Sequence, residues 1–379
     1  MTNKLIVKKK IGSFNKKIFV SGDKSLSIRW VLLASLASGV SKADNLLISE
    51  DVAAALNAVR KLGVKVLLKN NFCKIYGQGI NGYNYKKNII IDAKNSGTLG
   101  RLILGLLINS PYAIKLIGDK SLSKRDFKRI ADPLNKFGAK FKLTNKKNLP
   151  LSMQGSANLK AIKYTENRGS AQCKSSVIFG ALRSKGTTLI KAKKSRDHTE
   201  LLCKYLNLPV YTKKNKYYDY IKINEFKKFK SINYKIPSDI SSSAFFIILT
   251  VLTPNSKLII KNVNVNSSRI GVIKILKMMG IKILFKNKKK YKGETIADIK
   301  VLSPKKIKPI NCPSELNSDA IDEFLVIFLV AAKANGISYF KNLSELNEKE
   351  SPRLVWGSKI LSALGVKNII KNNGIKIYG

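Results

Sequence analysis

A short phrase that recurs along the chain constrains the fold more than any other feature. It reads Leu-Gly-Val-Lys-Val at 62–66, with close relatives at 137–141, 279–283 and 364–368 and a weaker copy, Leu-Asn-Leu-Pro-Val, at 206–210. Each copy follows apolar residues at helical spacing and precedes alternating apolar residues. That order predicts a helix, a glycine cap and a strand. The marker positions 63, 138, 207, 280 and 365 lie 75, 69, 73 and 85 residues apart, so the sequence predicts five related α/β repeats.

Each repeat is predicted to hold two helices and several strands. The first repeat runs from a helix after Asp23 through a second helix at 51–61 to strands at 64–68 and 72–76. Asn-rich spans at 70–71, 145–148 and 372–374 predict hairpin turns. Two apolar runs, near Phe324–Ala332 and Ala244–Leu249, are too short to span a bilayer and are interpreted as buried helices.

The charge balance admits two interpretations. The formal net charge is +48, from 71 Lys and Arg against 23 Asp and Glu. Such an excess is typical of proteins that bind nucleic acid, anionic lipid or anionic small molecules. Lysines are spread along the whole chain, however, and Ile and Asn are also abundant, which favours codon bias acting on a solvated surface. Aromatic residues are not interleaved with the basic clusters as a nucleic-acid stacking platform requires.

Cysteine and histidine usage excludes some kinds of site. None of the four cysteines forms a Cys-x-x-Cys pair, and His198 is the single histidine, so a zinc site is not expected. The pattern suits a reducing cytoplasm, and the N-terminus lacks a long apolar core and a cleavage signal. The cysteines are Cys73, Cys173, Cys203 and Cys312.

The stretch Val-Ser-Gly-Asp-Lys-Ser at 20–25 predicts an anion-binding helix start. It is not a nucleotide P-loop, because Asp23 separates the glycine from the lysine and the upstream glycine is absent. Asp23 or Ser25 can cap the following helix. Lys24 and Ser25 then lie where free N–H groups and the helix dipole favour an anion, and Arg29, four residues beyond Ser25, faces the same way.

Further polar helix starts follow along the chain. Each is a weak signal alone, and a capped surface helix explains any one of them. Together they predict several helix N-termini aimed at one cleft, which would trap phosphate and carboxylate groups. At 195–200, a capping or packing role for His198 is favoured over catalysis. The other starts lie at 95–101, 118–125, 170–176, 237–244, 320–324 and 348–354.

The order of these motifs resembles the 5-enolpyruvylshikimate-3-phosphate synthase family of enolpyruvyl transferases, over nearly the whole chain. Ser-Ala-Gln-x-Lys-Ser at 170–175 and Ser-Arg-Asp-His-Thr-Glu at 195–200 are similar to its bacterial class II branch. The other matching motifs are Lys24-Ser25-x-x-x-Arg29, Asn95-Ser96-Gly97-Thr98, Gly118-Asp119-x-Ser121-Leu122-x-Lys124-Arg125, Ile321-Asp322-Glu323 and Lys349-Glu350-Ser351-x-Arg353-Leu354.

The resemblance implies an α/β fold of two lobes, each built from three βαβαββ repeats around a pseudo-threefold axis, with the active site between the lobes. Five of the six repeats are recognised. One lobe is expected at 20–236, and a discontinuous lobe at 1–19 plus 237–379. The hinge strands would lie near 19–20 and 235–237.

The resemblance also implies the reaction. The 5-hydroxyl of shikimate 3-phosphate would attack C2 of phosphoenolpyruvate, C3 would be protonated, and phosphate would leave the tetrahedral adduct, without a metal or cofactor. Asp322 would accept the hydroxyl proton, while Glu350 and Lys24 would handle the proton at C3. Shikimate 3-phosphate would contact Lys24, Ser25, Arg29, Ser170, Ala171, Gln172, Asp322 and Lys349. Phosphoenolpyruvate would contact Lys24, Gly97, Arg125, Gln172 and Arg353, and Gly97 would leave room there for glyphosate.

The sequence also departs from the family pattern. The family continues into a sixth repeat with an Asp-His-Arg segment and a late lysine, whereas no arginine follows Arg353 here. We therefore expect little or no turnover from these 379 residues alone, and an exposed apolar flank on the five-repeat chain. Smaller departures are Asp126, where the family usually has proline, and Pro352, which removes a backbone donor beside Arg353.

Three alternatives remain at this point. A non-catalytic remnant or fragment would still bind shikimate 3-phosphate. UDP-N-acetylglucosamine enolpyruvyl transferase shares the fold, but generally has Lys-Asn where this chain has Lys24-Ser25. A basic nucleic-acid-binding protein would show steeply salt-dependent binding. The favoured reading is a cytoplasmic enzyme, monomeric if complete, whose partners are small anionic substrates and neither nucleic acid nor membrane.

Overall fold

The computed structural model describes Ile6 and residues 8–80, 82–226, 228–348 and 350–379. The helices are α1 Lys24–Leu36, α2 Glu50–Lys61, α3 Gly97–Leu106, α4 Lys120–Ser123, α5 Lys128–Lys136, α6 Ala171–Ala181, α7 His198–Tyr205, α8 Ile240–Leu252, α9 Gly271–Met278, α10 Phe324–Ala331 and α11 Arg353–Ala363. Among these residues, no helix is both long enough and apolar enough to cross a bilayer.

The described residues form twenty strands in five four-stranded sheets. The strands of the first three repeats and their neighbours are β1 Asn15–Ile18, β2 Ser38–Asp44, β3 Lys65–Lys69, β4 Phe72–Gln78, β5 Ile89–Asp92, β6 Ile114–Ile117, β7 Lys140–Thr144, β8 Asn148–Gln154, β9 Lys163–Glu166, β10 Thr187–Lys193, β11 Val210–Lys214, β12 Tyr218–Asn224 and β13 Asn233–Lys235. The remaining strands are β14 Lys257–Asn264, β15 Ile283–Tyr291, β16 Glu294–Leu302, β17 Asn311–Cys312, β18 Ile337–Phe340, β19 Asn368–Lys371 and β20 Gly374–Tyr378.

All five sheets share one strand order. In the second repeat the order is β5-β6-β8-β7, that is, first, second, fourth, third in the sequence of the repeat. The first two strands are parallel because a helix connects them, and the last two form a hairpin. The third and fifth repeats have the same order, in β9-β10-β12-β11 and β17-β18-β20-β19. The predicted βαβαββ repeat is therefore present.

Two repeats obtain their first strand from a distant part of the chain. β13 pairs in parallel with β2, so the first repeat is completed by residues that follow the third. β1 pairs in parallel with β14 and so begins the fourth repeat. The chain accordingly divides into two compact parts. We call Ser21–Pro237 with Lys290–Thr295 the central lobe, and the described residues of Met1–Val20, Ser238–Lys289 and Ile296–Gly379 the terminal lobe.

The recurring phrase marks the same backbone conformation in every repeat. Gly63, Gly138, Gly280 and Gly365 all have positive φ values, between 75° and 116°, directly after a helix. The weaker copy places Asn207 there with φ 54°. Glycine and, less readily, asparagine adopt this left-handed conformation, which ends a helix and turns the chain into the next strand. The predicted hairpin turns are confirmed at 70–71, 145–147 and 372–373.

The core of the central lobe contains three helices, one from each repeat. α1, α3 and α6 are buried along almost their whole length. α3 packs so closely on α6 that a Cβ at Gly105 would lie 2.1 Å from the carbonyl oxygen of Ser176. These three helices therefore lie inside the lobe and not on its surface.

The helices of the central lobe also pack in a cyclic order. The second helix of each repeat contacts the first helix of the next: α2 contacts α3, α5 contacts α6, and α7 contacts α1. In the terminal lobe α9 contacts α10 by the same rule. This order means that every first helix in the central lobe has neighbours on all sides.

The terminal lobe has its own core, where Phe324 and Phe328 of α10 pack with Phe340 of β18. The prediction of two buried helices is only partly correct here. α10 buries most of its residues, but α8 leaves Phe245 and Phe246 exposed. The α8 prediction was wrong because that helix packs on α10 and β14 and on little else.

Candidate functional site

The first helix start is formed as the sequence predicts. Asp23 is buried, and its Oδ1 accepts a 2.9 Å hydrogen bond from the backbone N–H of Leu26, so α1 begins at Lys24. The Lys24 side chain is half exposed and its Nζ lies 3.6 Å from Asp51 Oδ2. Lys24 therefore presents a cation to solvent at the N-terminus of α1, where the helix dipole adds positive potential.

Arg29, one turn further along α1, is almost fully buried. Its Nε donates to Thr199 Oγ1 at 2.7 Å, its Nη1 to the carbonyl of Ser25 at 3.1 Å, and its Nη2 to Ser175 Oγ at 3.2 Å. Burial lowers the pKa of Arg29 to about 10, against the opposing effect of nearby carboxylates including Glu200. The guanidinium therefore stays charged at neutral pH and connects the starts of α1, α6 and α7.

The starts of α3 and α6 are joined by Gln172. Its Nε2 donates to Thr98 Oγ1 at 3.0 Å, and its Oε1 accepts from Arg101 Nη1 at 2.6 Å. Ser170 caps α6 by accepting from the Cys173 N–H at 3.3 Å, and Ala171 is the first residue of that helix. Two predicted helix starts thus meet through a single side chain.

The guanidinium groups of two arginines, Arg101 and Arg125, lie close to Gly97, the first residue of α3. A Cβ at this position would lie 2.7 Å from Arg101 Nη1 and 3.0 Å from Arg125 Nη1, so both guanidinium groups reach the glycine. Asn148 Nδ2 donates to the carbonyl of Arg125, which fixes the backbone there. Burial, and then the neighbouring Arg129, lowers the pKa of Arg101 to about 10. Several cations close together favour a bound anion.

A buried ion-pair group lies behind these helix starts. Lys174 of α6 is fully buried, and its Nζ lies 2.7 Å from Glu200 Oε1 and 3.4 Å from Asp219 Oδ2. Burial alone would lower the pKa of Lys174, but Glu200 and Asp219 outweigh it and raise the pKa. His198 is also buried, and its Nδ1 lies 2.7 Å from Glu294 Oε1. That contact fits a packing role for His198.

The terminal lobe holds a second group of predicted residues. Arg353 begins α11, and its Nη1 donates to Asp322 Oδ1 at 2.9 Å while its Nη2 donates to Glu350 Oε2 at 2.7 Å. Burial alone would lower the pKa of Arg353, but Asp322 and Glu350 outweigh it and raise the pKa. Lys349 was predicted to belong here and lies outside the described residues.

The sequence prediction missed part of each group. Arg101 and Arg129 each lie four residues after a predicted residue, Gly97 or Arg125, and that spacing was an available signal. In the terminal lobe, Arg269 Nη2 donates to Ser241 Oγ at 2.8 Å, and the Ser241 hydroxyl donates to Glu323. No motif marks Arg269 in the sequence.

The departures from the family pattern have simple structural roles. Asp126 Oδ1 accepts from the Arg129 N–H at 3.3 Å, and its Oδ2 lies 3.8 Å from Arg168 Nη1. Pro352 precedes the first residue of α11, and its carbonyl accepts from the Trp356 N–H at 3.0 Å. A proline fits this position because the first N–H groups of a helix need no partner within the helix.

Comparison with known proteins gives the class first. The structure of the enolpyruvyl transferase NikO from Streptomyces tendae aligns over 97% of this chain and 82% of its own, with a TM-score of 0.72 at 13% identity. That likeness shows the fold, which is the enolpyruvyl transferase fold predicted from the sequence. The EPSP synthase from Acinetobacter baumannii aligns over the same shares with a TM-score of 0.86 at 35% identity.

Sequence comparison gives the family. The profile of EPSP synthase (3-phosphoshikimate 1-carboxyvinyltransferase) matches residues 8–379. The 3-phosphoshikimate 1-carboxyvinyltransferase of Ruthia magnifica subsp. Calyptogena magnifica is 40% identical over 374 residues, which are 98% of this chain and 84% of the relative. The protein of the same name from Bacillus cytotoxicus is 35% identical over 96% of this chain and 85% of its own. The chain belongs to the EPSP synthase family.

Proposed function

We propose that this chain acts as a 3-phosphoshikimate 1-carboxyvinyltransferase, transferring the enolpyruvyl group of phosphoenolpyruvate to the 5-hydroxyl of shikimate 3-phosphate. One observation carries the proposal beyond family membership. The starts of α1, α3 and α6 are joined by side-chain hydrogen bonds from Arg29 and Gln172, and cations surround them. Both substrates are phosphorylated, and joined helix N-termini with arginines suit phosphate groups.

Shikimate 3-phosphate is assigned to the α1 and α6 starts. The buried guanidinium of Arg29 fixes the helix starts relative to one another, because it donates hydrogen bonds to hydroxyl groups on α6 and α7. Lys24 adds an exposed charge at the edge. The full set of proposed contacts is Lys24, Ser25, Arg29, Ser170, Ala171, Gln172, Asp322 and Lys349.

Phosphoenolpyruvate is assigned to the arginines around Gly97. Gly97 has no side chain, so the guanidinium groups of Arg101 and Arg125 approach its backbone closely. A forked guanidinium binds carboxylate or phosphate through two parallel hydrogen bonds, which a lysine cannot do. The proposed contacts are Lys24, Gly97, Arg125, Gln172 and Arg353.

The proposed proton transfers use the carboxylates of the terminal lobe. Asp322 accepts the proton of the substrate 5-hydroxyl as its oxygen bonds to C2 of phosphoenolpyruvate. Glu350 and Lys24 deliver a proton to C3 and remove one from it again when the C–O bond to phosphate breaks. A well-placed acid or base contributes roughly 10²–10⁴-fold in rate. The surrounding cations stabilise the charge on the departing phosphate.

The contacts of Arg353 suggest how substrate binding and proton transfer could be coupled. Both Asp322 and Glu350 accept hydrogen bonds from its guanidinium. A substrate anion that binds the Arg353 guanidinium in place of Asp322 and Glu350 would free both carboxylates for proton transfer. Binding of phosphoenolpyruvate and readiness of the proton-transfer groups would then be coupled.

The test is binding of shikimate 3-phosphate, because binding does not depend on turnover. We expect the ligand to raise the melting temperature and to bind in calorimetry with one site per chain. Lys24→Ala should weaken binding tenfold or more. The matched control is Lys191→Ala, which removes the charge of another exposed lysine, on β10 of the third repeat, and should change affinity less than twofold.

Two results would contradict the proposal. If both alanine variants weaken binding equally, the ligand is held by net charge alone. If shikimate 3-phosphate leaves the melting temperature unchanged while single-stranded DNA binds with a steep salt dependence, the nucleic-acid alternative is favoured.

A reducing cytoplasm is proposed as the working compartment, supported by four free and buried cysteines.

A further inference from the structure

Glu166 is a buried acidic residue in the segment that leads into α6. It is the last residue of β9, is 3% exposed, and lies four residues before Ser170, which caps α6. Both of its carboxylate oxygens accept backbone hydrogen bonds. Oε1 accepts from the Arg168 N–H at 3.1 Å, and Oε2 accepts from the Ser170 N–H at 2.9 Å. The side chain therefore fixes the backbone at two points directly before the helix begins.

The second repeat has a shorter version of this contact. β5 ends at Asp92, whose Oδ1 accepts from the Lys94 N–H at 2.8 Å. Asp92 and Glu166 each end the first strand of a repeat, and each binds the N–H two residues further on. Glutamate is longer by one methylene, and Glu166 also reaches the N–H four residues on. In the third repeat the carboxylate therefore holds the helix-capping residue itself.

The same segment has a second side-chain contact, and that contact lies at the surface. Arg168 Nη1 lies 3.8 Å from Asp126 Oδ2, and the two side chains are 64% and 38% exposed. Exposed ion pairs contribute little to stability. Gly169 has a φ of 73°, and glycine is costly in entropy to hold in one conformation. The buried hydrogen bonds of Glu166 are therefore the stronger restraint on the backbone of this segment.

A carboxylate at this place opposes the charge that the site requires. Ser170 is assigned to shikimate 3-phosphate, and a negative charge close to a phosphate repels it. Burying a carboxylate also costs free energy unless its oxygens are hydrogen-bonded. Glu166 can therefore favour the ligand only through geometry. Ser170 Oγ accepts from the Cys173 N–H at 3.3 Å, and its hydroxyl still carries a hydrogen that can donate to a ligand oxygen.

We propose that Glu166 is a positioning residue for shikimate 3-phosphate. Its two hydrogen bonds set the backbone of 166–170, so that the Ser170 hydroxyl and the start of α6 meet the ligand together. This inference rests on the proposed function, and it adds a residue that does not itself touch the substrate.

The variant Glu166→Gln tests the inference because geometry and charge predict opposite results. The amide keeps one acceptor oxygen and replaces the other with an NH₂ group, which cannot accept from an N–H. If Glu166 positions Ser170, the affinity for shikimate 3-phosphate in calorimetry should fall about tenfold. If Glu166 acts through its charge alone, removing that charge should strengthen binding.

Two further variants separate the two contacts of the segment. Glu166→Asp keeps the carboxylate and should hold the nearer N–H, as Asp92 does, so it should recover part of the lost affinity. Asp126→Asn removes the carboxylate of the surface ion pair and should change the affinity less than about twofold. Melting temperatures of all variants are measured alongside, so that a loss of stability is not counted as a loss of binding.

A measurement without ligand tests the restraint directly. In the chain alone, Glu166→Gln should speed amide hydrogen exchange at Ser170, followed by NMR, while exchange at Lys94 stays unchanged. Unchanged exchange at Ser170, unchanged or tighter binding by Glu166→Gln, or an equal loss in Asp126→Asn would overturn the inference. A parent chain that binds no shikimate 3-phosphate would contradict the proposed function, whereas the exchange at Ser170 would still decide whether Glu166 fixes this segment.

Discussion

Replacing Gly97 with alanine tests whether the arginines around it bind phosphoenolpyruvate. The added Cβ would lie 2.7 Å from Arg101 Nη1 and 3.0 Å from Arg125 Nη1. Ordinary contacts of this kind are roughly 3.5–4.0 Å, so the Arg101 guanidinium must retreat by about 1 Å and that of Arg125 by about half as much. The third neighbour, Leu122 Cδ1 at 3.6 Å, is already at contact distance and does not restrict the methyl group.

The expected loss follows from the contacts that this retreat would break. A hydrogen bond to a charged group contributes about 1.5–3 kcal/mol, and each 1.4 kcal/mol is a factor of ten in affinity. Displacing one arginine contact should therefore raise the Kd for phosphoenolpyruvate by at least about tenfold. The Kd for shikimate 3-phosphate should change less than about twofold, because the fixed contacts of Arg29 lie on α1, α6 and α7.

The assay is calorimetric titration of phosphoenolpyruvate into the chain saturated with shikimate 3-phosphate, repeated with glyphosate as a competitor. The nearest atoms to the added Cβ are the far ends of two arginine side chains, so Gly97→Ala should lower the melting temperature little, and measuring it separates weaker binding from unfolding. Gly12→Ala is the control, since its Cβ would meet no atom within 4 Å. An unchanged Kd for phosphoenolpyruvate in Gly97→Ala would refute the assignment of this pocket.

Three further changes give distinct outcomes. Arg29→Lys removes a buried fork with three fixed hydrogen bonds, so shikimate 3-phosphate affinity should fall about tenfold or more in the same titration. Gly105→Ala forces a Cβ against the Ser176 carbonyl at 2.1 Å, and should destabilise the chain by about 1–3 kcal/mol in urea unfolding. Burial raises the pKa of Asp298, but hydrogen bonds from Lys261 and neighbouring groups outweigh it and hold the pKa below 3.8. Asp298 therefore stabilises the fold above pH 3.8, and Asp298→Asn should lower the melting temperature at pH 7 by an amount that shrinks as the pH falls below 3.8.

The repeat was predictable because it depends on local backbone geometry. A glycine or asparagine directly after a helix indicates a left-handed backbone conformation at that residue, and all five marker positions have positive φ values. The strand order of each sheet was predictable only from the family resemblance, because no local sequence pattern indicates which strands pair. That β13 completes the first repeat and β1 begins the fourth depends on contacts between distant residues.

The candidate site was predictable at its helix starts and less so at its side-chain partners. Capping residues such as Asp23 and Ser170 act within three residues of themselves, so the sequence shows them directly. Arg29 meets Thr199 across 170 residues, which no local pattern reveals. The roles assigned to Asp322 and Glu350 rest on resemblance and remain predictions, as the Arg353 contacts place them together without showing their chemistry.

The contrast between α1 and α8 shows that an apolar helix sequence does not decide how much of the helix is buried. Both helices are thirteen residues long and begin after a buried aspartate cap. Both are rich in apolar residues, and that composition reports only that burial would be favourable. α1 obtains burial because α3 and α7 both pack against it. α8 packs on α10 and leaves Phe245 and Phe246 in contact with water. The same apolar pattern therefore occurs in a fully packed helix of the central lobe and in a partly exposed helix of the terminal lobe, so long-range helix contacts decide which apolar side chains are buried.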